Sequence, residues 1–291
     1  MLNTPQAKIA VIGGTGLENI EGLTDIRQLD IGTPFDKPSD AITIGKLDGI
    51  GIAFLPRHGR GHFISPTELP VRANIYALKS LGVEQIIAVC SCGSFKQEYA
   101  PGHLVIPDQL IDRTRNRVNT FFTEGIVAHI GFAEPFCPEL SRILYESARE
   151  AKAAVHAKGT YVCMEGPAFS TRAESKLYRS WGADIIGMTA LPEAKLAREA
   201  EICYAIIACV TDYDSWWDPG KPVDVATVIK TLNNNIDTAK QIIKLAVKKI
   251  PQHSGCNCAH ALDGAIVTAA EKIPAAQKKK LGLIIGKYIN K

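Results

Sequence analysis

Short apolar runs recur along this chain. Each ends abruptly in glycine or a polar side chain, and stretches of helical period lie between them. Lys8-Ile9-Ala10-Val11-Ile12 runs into Gly13-Gly14-Thr15-Gly16, the pattern of a buried strand and a tight turn. Residues 85–89 close at Cys90-Ser91-Cys92-Gly93-Ser94, residues 184–188 at Thr189, and residues 202–210 at Thr211-Asp212-Tyr213-Asp214. Residues 42–45 and 51–55 flank Asp48-Gly49, a hairpin signal. Residues 104–106 and 159–164 add two further strand candidates. Residues 69–81, 138–154, 171–181, 192–200 and 223–249 carry helical spacing, and Gly82 is a natural stop for the first of them. This alternation predicts an α/β fold, a single domain on a mixed, mostly parallel central sheet flanked by helices. Residues 112–135 read as a long functional excursion. The amphipathic tail, residues 259–291, reads as a solvated helical tail ending in lysines.

Composition narrows the function classes. Over 291 residues, 46% are hydrophobic and 22% charged, a globular balance that excludes a disordered or fibrous chain. A net charge of +3 gives no general argument for a nucleic-acid or membrane partner, although single basic residues can bind a small anion. The opening Met1 to Lys8 has no secretory pattern, and the longest apolar run, residues 202–210, falls far short of the about 20 residues a bilayer needs. A soluble cytoplasmic protein is the expectation. The eight cysteines include two Cys-x-Cys pairs, Cys90/Cys92 and Cys256/Cys258, but no Cys-x-x-Cys. No second thiol pair stands at a suitable distance in sequence, so no metal site is expected.

Several familiar motifs are absent. Gly14-Thr15-Gly16 continues as Leu17-Glu18-Asn19, so the third glycine of a dinucleotide fingerprint is missing. The sequence has no Gly-Lys-Ser/Thr, no His-Glu-x-x-His and no Gly-x-Ser-x-Gly. What remains is positional. Thr15, Arg57-His58, Ser91, Thr189 and the pair Asp212/Asp214 each follow an apolar run, and open α/β sheets gather ligands at the carboxyl ends of their strands. The first four sites are donors with one fixed cation, a set suited to an oxyanion such as phosphate, with Arg57 offering a bidentate grip. Asp212 and Asp214, two apart in extended chain, share a face and would repel that anion, so they serve the other end of a substrate. In a closing apolar site such a carboxyl can act as a general acid.

Each signal also has a purely structural reading. A tight strand–helix turn needs no ligand. Arg57 to His62 can be a solvated basic loop, and Asp212 and Asp214 can be turn and cap residues. Trp216-Trp217 suits packing. The His58/His62 spacing would suit a metal on a helix, but the glycines between them oppose a helix.

Taken together, the residues carry a family pattern. Ile12 to Gly16, Arg57-His58-Gly59, Cys92-Gly93-Ser94, Glu165-Gly166-Pro167-Ala168-Phe169-Ser170, Trp181 to Asp184, Met188-Thr189, Pro192-Glu193-Ala194 and Thr211 to Asp214 occur in order. In them the chain resembles the trimeric purine nucleoside phosphorylase and methylthioadenosine phosphorylase family. The resemblance runs from Ile9 to about Pro251. It implies a phosphorylase domain over 1–251 and a C-terminal helical extension, 252–291, packed on the same domain. It implies that phosphate attacks the ribose C1′ of methylthioadenosine and releases adenine and methylthioribose 1-phosphate. Phosphate contacts are then expected at Thr15, Arg57, His58, Cys90, Ser91 and Thr189. Met188 would lie against the ribose, and Phe169 and Ser170 would border the base. Asp212 would be the acid at adenine N7, Asp214 would receive the 6-amino group, and Val225 would shape a pocket for the methylthio group. His129 is similar to a residue that reaches a neighbouring subunit's site. The resemblance also implies no cofactor, inorganic phosphate as co-substrate, and a homotrimer, sometimes paired into a hexamer.

There are departures. Cys90 stands where several relatives carry Thr, so that contact is expected from backbone only. Ala168 replaces a basic residue seen in some members. Cys256-Asn257-Cys258 is similar to a Cys-x-Cys that some heat-adapted relatives oxidise; free thiols are expected here. Three alternatives are set against this expectation: a phosphorylase for methylthioinosine or another 6-oxopurine nucleoside, a nucleosidase using water, and a purine-binding protein without turnover.

Overall fold

The computed structural model describes residues 6–217, 225–251 and 255–289. In chain order the strands are β1 (Ile9–Gly13), β2 (Leu23–Leu29), β3 (Ile42–Leu47), β4 (Ile50–Pro56), β5 (Gln85–Ser94), β6 (Leu104–Val105), β7 (Gln109–Arg113), β8 (Val155–His156), β9 (Thr160–Met164), β10 (Ile185–Gly187) and β11 (Cys203–Tyr213). The helices are α1 (Val71–Ser80), α2 (Pro138–Glu150), α3 (Arg172–Ser180), α4 (Ala190–Glu199), α5 (Val225–Lys249), α6 (Ala275–Lys280) and α7 (Gly282–Ile289).

All strands join one mixed sheet in the order β2-β3-β4-β1-β5-β10-β9-β7, with β11 and then β6 and β8 branching from β5. Six ladders are parallel and four antiparallel among the described residues, which agrees with the expected mixed, mostly parallel sheet. Side chains alternate across it with period two. Ala10, Ile12, Ile86, Ala88, Ile206 and Ala208 face α1 and α4, where Ile75, Leu78, Leu196 and Ala197 meet them. Ile9, Val11, Ile87, Val89, Ala205 and Ile207 face α2 and α5, against Leu140, Ile143, Ile242 and Val247. Helices therefore cover both faces of the central strands, and this is why those strands read as unbroken apolar runs.

The sheet's branch point makes the crevice. One edge of β5 pairs with β1 from Gln85 to Ala88 and, in the opposite sense, with β10 only at Gly93 and Ser94. The ladder is interrupted between these two segments, where the neighbouring strand changes. Such a switch in an open sheet leaves a gap at the strand ends. The other edge of β5 pairs with β11 along its whole length.

Several expectations need correction. Residues 90–94, where the strand was expected to close, continue β5, because β11 and β10 supply partners that local sequence does not announce. β2 was not expected; it is a mostly exposed edge strand, so burial imposes no apolar pattern on it. β7 lies mostly before the stretch read as an excursion and overlaps only its first two residues, Asp112 and Arg113. The tail is not simply solvated: Leu262, Ile273, Leu281, Ile284 and Ile285 are buried in one core with Phe121, Phe122 and Ile126 of the excursion. Each segment covers the other's apolar residues, joined by a bridge between Ala128 and Ile266. A second thiol pair also exists. Cys137 and Cys203 stand beside Cys256 and Cys258, and the four Sγ atoms lie within 4.8 Å of one another. The chain brings them together from three places in sequence, which spacing alone does not reveal. No helix among the described residues is long and apolar enough to cross a membrane.

Candidate active site

A cavity of about 210 Å³ lies at this crevice, lined by Gly14, Arg57, His58, residues 89–93 of β5, Phe169, residues 186–189, Thr211, Asp212 and Asp214. It thus gathers Arg57, His58, Cys90, Ser91, Phe169, Met188, Thr189, Asp212 and Asp214 from the expected set. Arg57 and Asp212 line the same space.

Arg57 follows the last residue of β4, and its N–H donates to Gly13 O at 2.8 Å. Its side chain is 2% exposed. The guanidinium does not offer its fork to the cavity. Nε and Nη2 donate to the two carboxylate oxygens of Glu193 on α4 at 2.5 and 3.0 Å, and Nη1 donates to Val89 O at 2.9 Å. Glu193 is 1% exposed and also accepts from the Tyr204 hydroxyl at 2.9 Å. Burial alone would disfavour the guanidinium charge, but Glu193 more than offsets it, so the arginine pKa lies above its ordinary value. The expected bidentate grip on an anion is therefore corrected. The protein's own carboxylate fills the fork, and Arg57 reaches the cavity as the positive end of a buried ion pair.

That charge reaches His58. Burial first, then the adjacent Arg57, pushes the imidazole pKa down to about 4, against the opposing Ile64 hydrogen bond. Nδ1 lies 2.8 Å from Ile64 O. The neutral ring donates there, which leaves Nε2 as an acceptor. His58 is thus neutral near pH 7.

Thr15 is exposed and does not line the cavity; its neighbour Gly14 does. The turn's Gly16 N–H is already taken by the Glu18 carboxylate at 2.8 Å.

At the other end, β11 carries a register shift between Val210 and Asp212, so Asp212 pairs with Gly93. The irregularity brings both acids onto the cavity wall. Burial first pushes the Asp212 carboxyl up to about 6; the Thr211 hydroxyl, donating at 2.7 Å, works against this, and the Asp214 charge adds to it. Burial also raises Asp214, opposed by Ser170, whose hydroxyl lies 2.7 and 2.6 Å from its two carboxylate oxygens. Ser170 itself is buried behind Asp214 and does not line the cavity. It is held just before α3, whose capping box pairs Thr171 and Glu174 reciprocally. Phe169, 41% exposed, borders the opening.

Gly93 is required by proximity. A Cβ there would sit 3.1 Å from Asp212 Oδ2, 3.2 Å from Ile186 Cγ2 and 3.4 Å from Asp214 Cβ. We expect Gly93→Ala to cost about 1–3 kcal/mol of stability through overpacking. The same change displaces Asp212, and turnover should fall on the order of 10²-fold. Denaturant unfolding and initial rates check the two effects separately.

Two expected residues lie elsewhere. Val225, at the start of α5, is 58% exposed. From that helix Val228 and Ile236 line the cavity instead. His129 is exposed, and its N–H donates to Ala265 O at 2.9 Å. Sequence reasoning missed the role of Glu193, although a lone acid beside Ala194, Leu196 and Ala197 on one helix face was a usable signal. It also missed Arg117, which donates to Met188 O and Leu191 O, each at 2.7 Å, and to Glu165. This one guanidinium ties together two loops at the site.

Comparison with known proteins adds the chemistry's context. Residues 8–248 match the phosphorylase superfamily. The chain is 56% identical over 282 residues to an S-methyl-5′-thioadenosine phosphorylase of Geobacter sulfurreducens, spanning 97% of this chain and 99% of that protein. It is 52% identical to the Koribacter versatilis protein of the same name, over 97% of each chain. Among solved structures, a methylthioadenosine phosphorylase from an Antarctic soil metagenomic library superposes with a TM-score of 0.92 at 49% identity, covering 97% of this chain and 99% of that one. The Schistosoma mansoni methylthioadenosine phosphorylase, solved with adenine, gives 0.81 at 36% identity, covering 89% and 96%.

Proposed function

This chain belongs to the phosphorylase superfamily, and from that premise we propose that it cleaves S-methyl-5′-thioadenosine with phosphate to adenine and 5-methylthioribose 1-phosphate. The observation that carries the reading is a single cavity with cation and hydroxyls at one end and, at the other, a carboxyl whose pKa burial raises to about 6.

In this reading phosphate binds between Ser91, Thr189 and His58, in the field of the buried Arg57 and beside the backbone of Gly14 and Cys90. Its negative charge raises the His58 pKa, so Nε2 takes up a proton and donates to it. Phosphate then lies against the ribose face where C1′ becomes cationic. Met188 packs on the sugar, and Phe169 closes over the base. Asp212 gives its proton to N7 as the glycosidic electrons move into the purine. Asp214, oriented by Ser170, accepts from the 6-amino group. Val228 is a better candidate than Val225 for the apolar methylthio pocket. No resident cofactor is invoked. Alignment of the two reactants accounts for up to about 7–11 kcal/mol of barrier lowering.

We further propose that residues 252–291 are an extension packed on the 1–251 domain, and that the chain works in the cytoplasm as a homotrimer or paired trimers. The exposure of His129, away from its own cavity, supports a role for it at a neighbouring subunit's site.

The decisive assay is adenine release from methylthioadenosine with and without phosphate. Turnover should require phosphate; undiminished release without it would reject phosphorolysis. Comparison of kcat/KM for the 6-amino and 6-oxo forms should favour the amino form at least about tenfold, since a carboxylate acceptor facing a carbonyl oxygen leaves both without a donor. A tenfold preference for the oxo form would overturn the role given to Asp214.

A further inference from the structure

We propose that Cys137, Cys203, Cys256 and Cys258 form a tetrahedral structural zinc site, separate from the nucleoside cavity, that clasps residues 255–258 to the start of β11 and to the N-terminus of α2. All four Sγ atoms lie within 4.8 Å of one another. The Cys203–Cys256 and Cys137–Cys256 separations are 3.2 and 3.7 Å. A zinc ion holding four sulfurs at about 2.3 Å sets tetrahedron edges of about 3.8 Å, so these thiols need only small adjustments to surround one ion. The spacing is too tight for a multi-iron cluster, which spreads its cysteines further apart. Thiolates alone are a soft donor set, which disfavours magnesium, calcium and manganese.

The surroundings suit this assignment. Cys137, Cys203 and Cys258 are buried, and Cys256 is half-buried. Cys137 is the residue immediately before α2, whose N-terminal dipole favours a thiolate. Its N–H donates to Tyr204 O at 2.8 Å, which fixes it next to Cys203. The cluster adjoins a separate surface cavity of about 800 Å³, lined by Cys256, Cys258, Glu134 and Arg198 among others, which gives an ion a route in. Pairwise oxidation is the competing use of the same sulfurs. Cys256 lies near both Cys137 and Cys203, and two disulfides among the four would consume them all, so the thiol count below separates oxidation from metal binding.

The test uses the full-length protein without a metal-binding tag, grown with zinc supplied and passed through gel filtration. Elemental analysis should find one zinc per chain. Cobalt exchanged into the site should give the intense visible absorption of a tetrahedral thiolate complex. All eight thiols should titrate once the protein is unfolded with a chelator and no reductant. A Cys256→Ser, Cys258→Ser double variant should lose the metal; if it fails to fold, the wild-type stoichiometry and the cobalt spectrum still decide. Less than about a tenth of an equivalent of zinc after supplementation, four missing thiols on unfolding, or iron in place of zinc would each overturn the proposal.

Discussion

Replacing Asp212 by asparagine should lower kcat for methylthioadenosine by about 10²–10⁴-fold while changing the binding of nucleoside far less. The amide keeps the shape of the carboxyl and its contact with Thr211 but has no proton to release to N7. A change in kcat below about tenfold would contradict the acid role. The wild-type pH profile should report the same group. The protonated form is active, and its pKa is about 6, so kcat/KM should be level below that pH and fall as pH rises through it. Burial raises Asp214 as well and its charge acts on Asp212, so the apparent value belongs to the pair. In the asparagine variant this limb should disappear. Stability carries an independent sign. The folded-state pKa is raised above the unfolded value, so the stabilising contribution of Asp212 is complete below the unfolded value and is lost as pH rises through about 6. At pH 7 and above the buried charge is a liability of about 1–3 kcal/mol, and Asp212→Asn should raise Tm as it abolishes turnover. Unchanged Tm in the variant at pH 8 would argue that the carboxylate is well solvated.

Removing Glu193 should have the largest effect on stability. Glu193→Ala leaves the Arg57 guanidinium buried without its counter-charge, at a cost of about 3–5 kcal/mol. For a chain of this size that is a fall in Tm of about 5–8 °C. Phosphate binding should also weaken, because a guanidinium freed from its bidentate partner no longer holds one position beneath the cavity. The double variant Arg57→Met, Glu193→Leu separates the two effects. Apolar replacement of both partners should restore most of the stability, while KM for phosphate stays raised because the fixed charge is gone. If Glu193→Ala unfolds within about 1 kcal/mol of wild type, the pair is not the buried anchor described here. If the double variant binds phosphate normally, the Arg57 charge is irrelevant to the anion.

These expectations also mark how far the sequence was legible. Strands such as β1 and β11 were legible because both faces are covered, and burial writes itself into an unbroken apolar run. The start of α3 was legible because Thr171 and Glu174 cap the helix with their own side chains. β2 was not, because an exposed edge strand bears no such pattern. The polar residues that end the runs did converge: Arg57, His58, Ser91, Thr189, Asp212 and Asp214 line one cavity. Thr15 and Val225 miss it, each displaced by a near neighbour, Gly14 and Val228. A residue's place in sequence locates its backbone well and its side chain poorly, because one step in a turn redirects the Cβ and one turn of a helix carries it about 5 Å along the axis.

Local chemistry therefore determined the elements, their alternation and the set of polar groups at the strand ends, since each depends on residues within a few positions of one another. Tertiary structure alone decided how those groups behave. Arg57 is occupied by a carboxylate 136 positions away, and the Asp212 pKa is raised because distant elements exclude water from it. The four cysteines meet although 53 or more residues separate Cys137 and Cys203 from Cys256. Charge, desolvation and ligation act through space, and only the folded chain sets which groups are near.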